Sequence, residues 1–144
     1  MRVLVQRVKN AKVEIDNVIK GEIQNGLLLF VGFCDGDDKE KIDYMVKKVI
    51  NLRIFDDNNG VMNLSVLDVL GSILSISQFT LYADTTSGNR PSYSKAMDGR
   101  KATLLYDYFN NKLKEYIKVE TGVFGADMKV SLLNDGPVTI MLER

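Results

Sequence analysis

The sequence contains no histidine and no tryptophan, and it has one cysteine and two prolines among 144 residues. Without histidine there is no imidazole to act as a general base, as a metal ligand or as the central member of a Ser-His-Asp or Cys-His arrangement. An enzyme with this composition must work with carboxylates, hydroxyls, amines, backbone groups or its substrate. The sequence therefore excludes a histidine-based metal site, and we expect neither a metal ion nor a cofactor.

Signals for export or membrane insertion are also missing. Cys34, the single cysteine, cannot form an internal disulfide, so nothing requires an oxidising compartment. No apolar run approaches the roughly 20 residues of a membrane span. The stretch from Met1 to Val5 lacks the charged region and cleavage site of a signal peptide. We expect a cytoplasmic protein that does not associate with membranes.

Charge is balanced, with 19 lysines and arginines against 19 aspartates and glutamates. Nucleic-acid-binding proteins usually carry a basic surface that meets the phosphates. A formal net charge of zero offers no such general signal, although it leaves room for a local basic patch. We expect no DNA partner.

The pattern of apolar residues predicts one α+β domain over residues 1–144. Two helical segments run from Asp37 or Asp38 to Ile50 and from Asp98 or Gly99 to Tyr116. Asp16-Asn17 is a hairpin turn, and residues 56–60 form another turn. Strands are predicted over residues 2–9, 12–15, 18–23, 27–33, 72–82, 128–133 and 138–142. This order suggests a mainly antiparallel or mixed sheet with two main helices on one face.

Ser77 to Tyr82 (SQFTLY) carries polar residues that a plain core does not need. Alternate side chains of a strand share a face, so Gln78 and Thr80 would continue the face of Leu74 and Ile76. That face turns from apolar to polar toward one end. The change fits a pocket at the end of a sheet, but taken alone this stretch favours an ordinary strand that emerges into solvent.

Asn134 to Thr139 (NDGPVT) holds one of the two prolines, directly after a glycine. Asn, Asp, Gly and Pro each favour a tight turn for local reasons. The alternative is that the Gly136-Pro137 peptide is cis because it lines a site, although only about 5–6% of X-Pro bonds in folded proteins are cis.

Cationic residues suggest two further features. Gly88 to Tyr93 (GNRPSY) is a polar loop whose Arg90, together with Lys95, Arg100 and Lys101, could meet phosphate or remain solvated. Arg7 is different, because it shares the strand parity of the apolar residues before it and is expected to point inward. A buried guanidinium needs acceptors, for which backbone carbonyls of a nearby turn would serve.

In combination these segments resemble the D-aminoacyl-tRNA deacylases, formerly called D-tyrosyl-tRNA deacylases. SQFTLY and NDGPVT are the signature motifs of that family, and they stand here in its order and separation. The resemblance runs from end to end and includes QRV at 6–8, GLLLFVG at 26–32, NLRIFDD at 51–57, MNLSVLDV at 62–69, SQFTLYADT at 77–85, GNRPSY at 88–93 and KVETGVFGADM at 118–128.

The resemblance implies a barrel-like homodimer that hydrolyses the ester between a D-amino acid, or glycine, and the terminal adenosine of tRNA. In the family, the SQFTLY strand forms one wall of a pocket at the dimer interface, and the partner's Gly-Pro motif inserts opposite. Arg7 matches the arginine that holds this motif. The implied substrate-binding residues are Ser77, Asn134, Gly136, Pro137 and Val138, with a cis peptide between Gly136 and Pro137.

Gln78, Phe79 and Thr80 are the candidate catalytic residues. An aminoacyl ester is already activated, so backbone amides around Phe79 and Thr80 would suffice to stabilise a tetrahedral oxyanion, at about 3–4 kcal/mol per donor. The family implies that the tRNA 2′-hydroxyl helps to activate water. Thr80 is the alternative nucleophile, but no residue is identified that would deprotonate it.

Selection of the D form would then work by exclusion. A D residue directs its side chain out of the pocket, an L residue drives its Cβ into the Gly-Pro wall, and glycine passes. Arg90, Lys95, Arg100 and Lys101 are candidate contacts to the tRNA acceptor end, although Thr86-Ser87 replaces a more basic pair. A noncatalytic dimeric RNA- or ligand-binding module and a Thr- or Ser-dependent esterase are the competing functions.

Overall fold

A mixed six-stranded sheet, two helices and a small hairpin make up the chain, which a computed structural model describes over residues 1–144. The elements are β1 (Arg2–Ile15), β2 (Val18–Ile23), β3 (Gly26–Gly32), α1 (Lys39–Ile50), β4 (Phe55–Asp56), β5 (Met62–Leu64), β6 (Ser72–Ser77), a 3₁₀ turn (Phe79–Tyr82), α2 (Gly99–Lys114), β7 (Val119–Thr121) and β8 (Lys129–Glu143). The strand order is β2-β1-β3-β6-β7, with β8 on β1, and β4 pairs with β5 separately. The sheet is nearly closed, which confirms the barrel-like α+β prediction.

β1 is the long strand around which the sheet is organised. Its first half pairs with β3 and its second half with β2, while β8 runs antiparallel to almost its whole length. The predicted strands 2–9 and 12–15 are therefore one strand, because Asn10 and Ala11 between them remain paired with β8. The hairpin turn is confirmed, with φ of 51° at Asp16 and 62° at Asn17.

Both helices begin where the sequence places a capping aspartate. The Asp38 side chain accepts from the Lys41 amide at 2.9 Å, and the Asp98 side chain accepts from the Arg100 amide at 3.1 Å. α2 ends at Lys114, so the prediction that it reaches Tyr116 is wrong, and Tyr116 is exposed.

The helices pack on one face of the sheet, as predicted. The core on that face joins apolar residues of α1 and α2 to β1 and β3, among them Ile42, Phe109, Val5 and Leu29. A smaller core on the opposite face consists of residues from the strands alone.

The predicted strand 72–82 is too long. β6 ends at Ser77, whose partner Val31 lies one residue before the end of β3, so there is little further strand for it to pair with. The Gln78 amide makes a last bond to the Val31 carbonyl at 2.7 Å, and the chain then enters the 3₁₀ turn. Gln78 and Thr80 consequently do not continue the face of Leu74.

Residues 134–137 do not separate two strands. β8 continues through them, because the segments on both sides pair with the same strand, β1. Asn134 pairs with Val8 of β1, and Thr139 pairs with Gln6. Five positions of β8 therefore lie opposite two positions of β1, and the extra residues of β8 form a bulge. The peptide between Gly136 and Pro137 in this bulge is cis.

Candidate active site

A cavity of about 480 Å³ opens where the parallel strands β3 and β6 end side by side. Most of its lining is apolar, and Ser77 and Gln78 supply polar groups at the end of β6. At the mouth, the rings of Phe79 and Tyr93 meet edge to face, with centroids 5.0 Å apart. The cavity is therefore large enough for a small organic group and offers few side chains that could react with it.

The structure brings three predicted site residues to this cavity, namely Ser77, Gln78 and Phe79. Thr80 does not line it. The hydroxyl of Thr80 accepts a hydrogen bond from the side-chain amide of Gln78, and no acidic or basic side chain bonds to it. The geometry of one chain thus places no general base beside the proposed nucleophile.

The backbone of the 3₁₀ turn offers donors instead. The first hydrogen bond within the turn runs from the Leu81 amide to the Gln78 carbonyl at 3.3 Å. The amides of Phe79 and Thr80 precede it, so they have no carbonyl acceptor inside the turn. Tyr82, at the other end, is buried, and burial raises the pKa of its phenol well above the ordinary value, which keeps the hydroxyl protonated.

The Gly136-Pro137 peptide does not reach the cavity of its own chain. Both residues are exposed, and neither contributes to the lining. The Asn134 side chain closes the bulge, accepting from the Val138 amide at 2.8 Å and donating to the Val138 carbonyl at 3.2 Å. The bulge is thus an ordered projection on the surface of the single chain.

Arg7 lies beneath this bulge, and its predicted inward direction is confirmed. It is 7% exposed. Its Nη1 donates to the Ile54 carbonyl at 2.6 Å and its Nε to the Asp135 carbonyl at 2.8 Å. The Asp56 carboxylate lies 3.4 Å away. The buried guanidinium therefore has the backbone carbonyl acceptors that the sequence predicts. Through these bonds Arg7 connects the bulge to the start of β4.

The four candidate tRNA contacts are all exposed, but they differ in their partners. Lys95 is paired with the Asp84 carboxylate at 2.8 Å, and this bond holds the pKa of Asp84 well below its usual range, helped by Thr86. Arg100 and Lys101 lie in the first turn of α2, and that turn contributes to the cavity wall. Arg90 lies in the polar loop.

Several lining residues were not assigned from the sequence. Tyr93 lies in GNRPSY, and Phe124 and Met128 lie in KVETGVFGADM, so the matching segments could have indicated them. Phe33 and Ala102 are plain apolar residues that carry no such signal. No group of three or more cysteine, aspartate or glutamate side chains is placed to hold a metal ion. Neither α1 nor α2 has the length and the apolar composition that a membrane-spanning helix needs.

Known proteins are similar to this chain in sequence and in fold along nearly its whole length. A family model described as D-Tyr-tRNA(Tyr) deacylase matches residues 4–143. The D-aminoacyl-tRNA deacylase of Thermosipho africanus (strain TCF52B) is 56% identical over 144 residues, covering 99% of this chain and 97% of its own. The chain therefore belongs to the D-Tyr-tRNA(Tyr) deacylase family, a family of hydrolases.

Two solved structures share this fold. The c-Myc DNA unwinding element binding protein superposes with a TM-score of 0.95 at 36% identity, covering 100% of this chain and 99% of that one. A probable eukaryotic D-amino acid tRNA deacylase gives a TM-score of 0.82, covering 98% and 97%. At 18% identity, the second likeness shows the fold alone.

The buried bonds of Arg7 lead to a prediction about stability. Arg7→Met removes the donor to two carbonyls, and we expect the free energy of unfolding to fall by about 3 kcal/mol, since bonds from charged groups contribute about 1.5–3 kcal/mol each. Urea unfolding at fixed protein concentration measures it.

Lys9→Met is the matched control. Lys9 also contacts Asp135, at 3.1 Å, but its side chain is 59% exposed, so its loss should cost no more than about 1 kcal/mol. Equal losses in the two variants would contradict the role of burial at Arg7.

Proposed function

We propose that this protein hydrolyses the ester bond of D-aminoacyl-tRNA and of mischarged glycyl-tRNA, releasing the amino acid and free tRNA. The observation that carries the proposal is the cavity beside the SQFTLY turn, whose lining includes Ser77, Gln78 and Phe79 and no acidic or basic side chain. Such a site suits an ester that is already activated. Family membership supplies the substrate class.

In the proposed mechanism the terminal adenosine and its amino acid enter the cavity, and the ester carbonyl oxygen is held by the amides of Phe79 and Thr80. Water adds to the carbonyl carbon with help from the 2′-hydroxyl of the tRNA. The ribose–acyl bond then breaks, and the ribose oxygen leaves with a proton derived from the water. Each amide contributes because charge develops on the oxygen in the transition state.

Chiral selection requires a second copy of the chain. Gly136 and Pro137 lie exposed and away from their own cavity, held from below by Arg7 and from within by Asn134. We propose a homodimer in which this projection closes the partner's cavity, and in which Val138 supports it. The carbonyls of Gly136 and Pro137 would clash with the Cβ of an L residue. The side chain of a D residue would point away from them, and glycine has no Cβ.

Contact with tRNA is proposed at the acceptor end only. Arg100 and Lys101 flank the cavity, Arg90 lies in the neighbouring loop, and Lys95 is already paired with Asp84. A net charge of zero suits a small contact better than a long duplex surface. It likewise gives no support for the DNA binding named for the 36% identical relative.

The direct test compares D-tyrosyl-tRNA, L-tyrosyl-tRNA and glycyl-tRNA as substrates of the purified protein. We expect the D and glycyl esters to be cleaved and the L ester to survive, because only the L residue places a Cβ against the wall. Release of radiolabelled amino acid measures the rates. Protection of the D ester would instead indicate a noncatalytic binding module.

The role of Thr80 is tested by Thr80→Ala beside Thr80→Ser. If backbone amides dominate, both variants keep measurable D-tyrosyl-tRNA hydrolysis, within about tenfold of wild type, since each retains the Phe79 and residue-80 amides. A nucleophilic hydroxyl predicts a different result, in which the Ser variant is active, the folded Ala variant is inactive and mass spectrometry traps an acyl-enzyme.

Gly136→Ala tests the wall. A Cβ at Gly136, where φ is +142°, would lie 2.7 Å from Val138 Cγ2 and 2.9 Å from its amide nitrogen, so the projection must shift. We expect at least about a hundredfold loss of D-tyrosyl-tRNA hydrolysis, the order expected for a displacement near 1 Å.

Gly60→Ala is the matched control for Gly136→Ala. Gly60 also has a positive φ, +73°, but a Cβ there meets nothing within 4 Å, so its variant adds backbone strain without a steric clash. It should retain full activity. A Gly136→Ala protein that is folded, dimeric and as active as wild type would rule out the wall.

A further inference from the structure

Arg2 fastens the far end of the 3₁₀ turn that carries the site. Its Nη1 donates to the Leu81 carbonyl at 2.8 Å. The same guanidinium lies over the Tyr82 ring, with its carbon 4.7 Å from the centroid. Its Nε and Nη2 contact one carboxylate oxygen of Glu143, at 3.1 and 3.0 Å. A planar, multidentate group held on three sides has one orientation.

The position of Arg2 in the sheet explains how it reaches the turn. Arg2 pairs with Gly32 of β3 on one side and with Glu143 of β8 on the other. A Cβ on Gly32 would lie 2.9 Å from the Gln78 carbonyl oxygen and 3.3 Å from the Leu81 Cβ. Because Gly32 has no side chain, the turn can lie against the sheet, beside the arginine.

Few other hydrogen bonds hold the turn. At its start, the Gln78 amide bonds to the Val31 carbonyl at 2.7 Å, and no side chain caps it. Within it, the Thr80 hydroxyl bonds only to Gln78, and Phe79 is exposed. Arg2 supplies the one side-chain hydrogen bond to a carbonyl of residues 79–82.

We propose that Arg2 is a positioning residue for the deacylase reaction. By holding the Leu81 carbonyl and the Tyr82 ring, it sets the angle of the turn and so the direction of the Phe79 and Thr80 amides. Arg2 does not line the cavity. The inference rests on the proposed function, in which those amides stabilise the oxyanion.

Such a role has a kinetic signature. Donors aimed at the developing oxyanion act in the transition state, so a small rotation of the turn lowers kcat. The cavity walls that bind the aminoacyl adenosine do not involve Arg2, so KM should hardly change. A purely structural residue would instead lower stability and leave the kcat of the folded protein as it was.

The test measures kcat and KM for D-tyrosyl-tRNA in Arg2→Gln and Arg2→Lys, with thermal unfolding of each. We expect Arg2→Gln to lose about ten- to a hundredfold in kcat with KM within twofold of wild type. Arg2→Lys should recover part of the loss, because an ammonium can donate to Leu81 but cannot also grip Glu143 and cover the ring.

Arg53→Gln is the matched control. Arg53 Nε donates to the Asn63 carbonyl at 2.9 Å, an exposed bond far along the chain from the turn. This variant loses a comparable bond and should keep the wild-type kcat. An Arg2→Gln protein with wild-type kcat, or an equal fall in both variants, would overturn the inference.

The outcomes also separate this inference from the proposed function. If wild type fails to hydrolyse D-tyrosyl-tRNA, the proposed function is wrong, and the inference about Arg2, which rests on it, is wrong as well. If wild type is active and Arg2→Gln equals it, the proposed function stands and Arg2 has no positioning role. If wild type is active and kcat falls in folded Arg2→Gln but not in Arg53→Gln, the proposed function and the positioning role of Arg2 are both supported.

Discussion

Arg7 carries a charge that is almost wholly removed from water, and the surrounding backbone is arranged to meet it. Its donors reach the carbonyls of Ile54 and Asp135, which lie far apart in the sequence, so one guanidinium joins the start of a small hairpin to the bulge of β8. A buried charge without acceptors is costly, and this makes the arrangement hard to relax. The Gly136-Pro137 projection is exposed, but Arg7 holds the Asp135 carbonyl at its base and so fixes its position.

The second determinant of the site is the common end of two parallel strands. β3 and β6 stop almost together, and the chain after β6 turns sharply against Gly32. This creates a cavity at the sheet edge and leaves the first amides of a short turn beside it. Arg2 contacts the far end of the same turn, so both ends of the segment are attached to the sheet.

A chain without histidine has few ways to cleave an ester, and the proposed use of backbone donors is the least demanding of them. Backbone donors titrate at no physiological pH, and they need only to be aimed correctly. Rigidity then matters more than reactivity, both at the turn and at the proposed wall. Two arginines outside the cavity, Arg7 and Arg2, contribute to that rigidity by donating to carbonyls of the bulge and of the turn.

Local patterns predicted much of the fold. Asp16-Asn17 tolerates positive φ, Asp38 and Asp98 can cap helices, and the parity of Arg7 follows from its strand. These features depend on neighbouring residues, which is why the sequence alone indicates them. The motifs also indicated the family, and one of them, SQFTLY, lies beside the cavity at the end of β6.

Other features depended on partners distant in the sequence. The end of β6 at Ser77 follows from where β3 ends, and the continuity of β8 follows from its pairing with β1, so neither is visible in alternation of apolar residues. The lining residues Phe33 and Phe124 come together only when the sheet and α2 assemble. The absence of histidine excluded imidazole chemistry, and the motifs indicated the family. Tertiary packing sets where the motif segments stop and what they face, because strand pairing and burial are non-local.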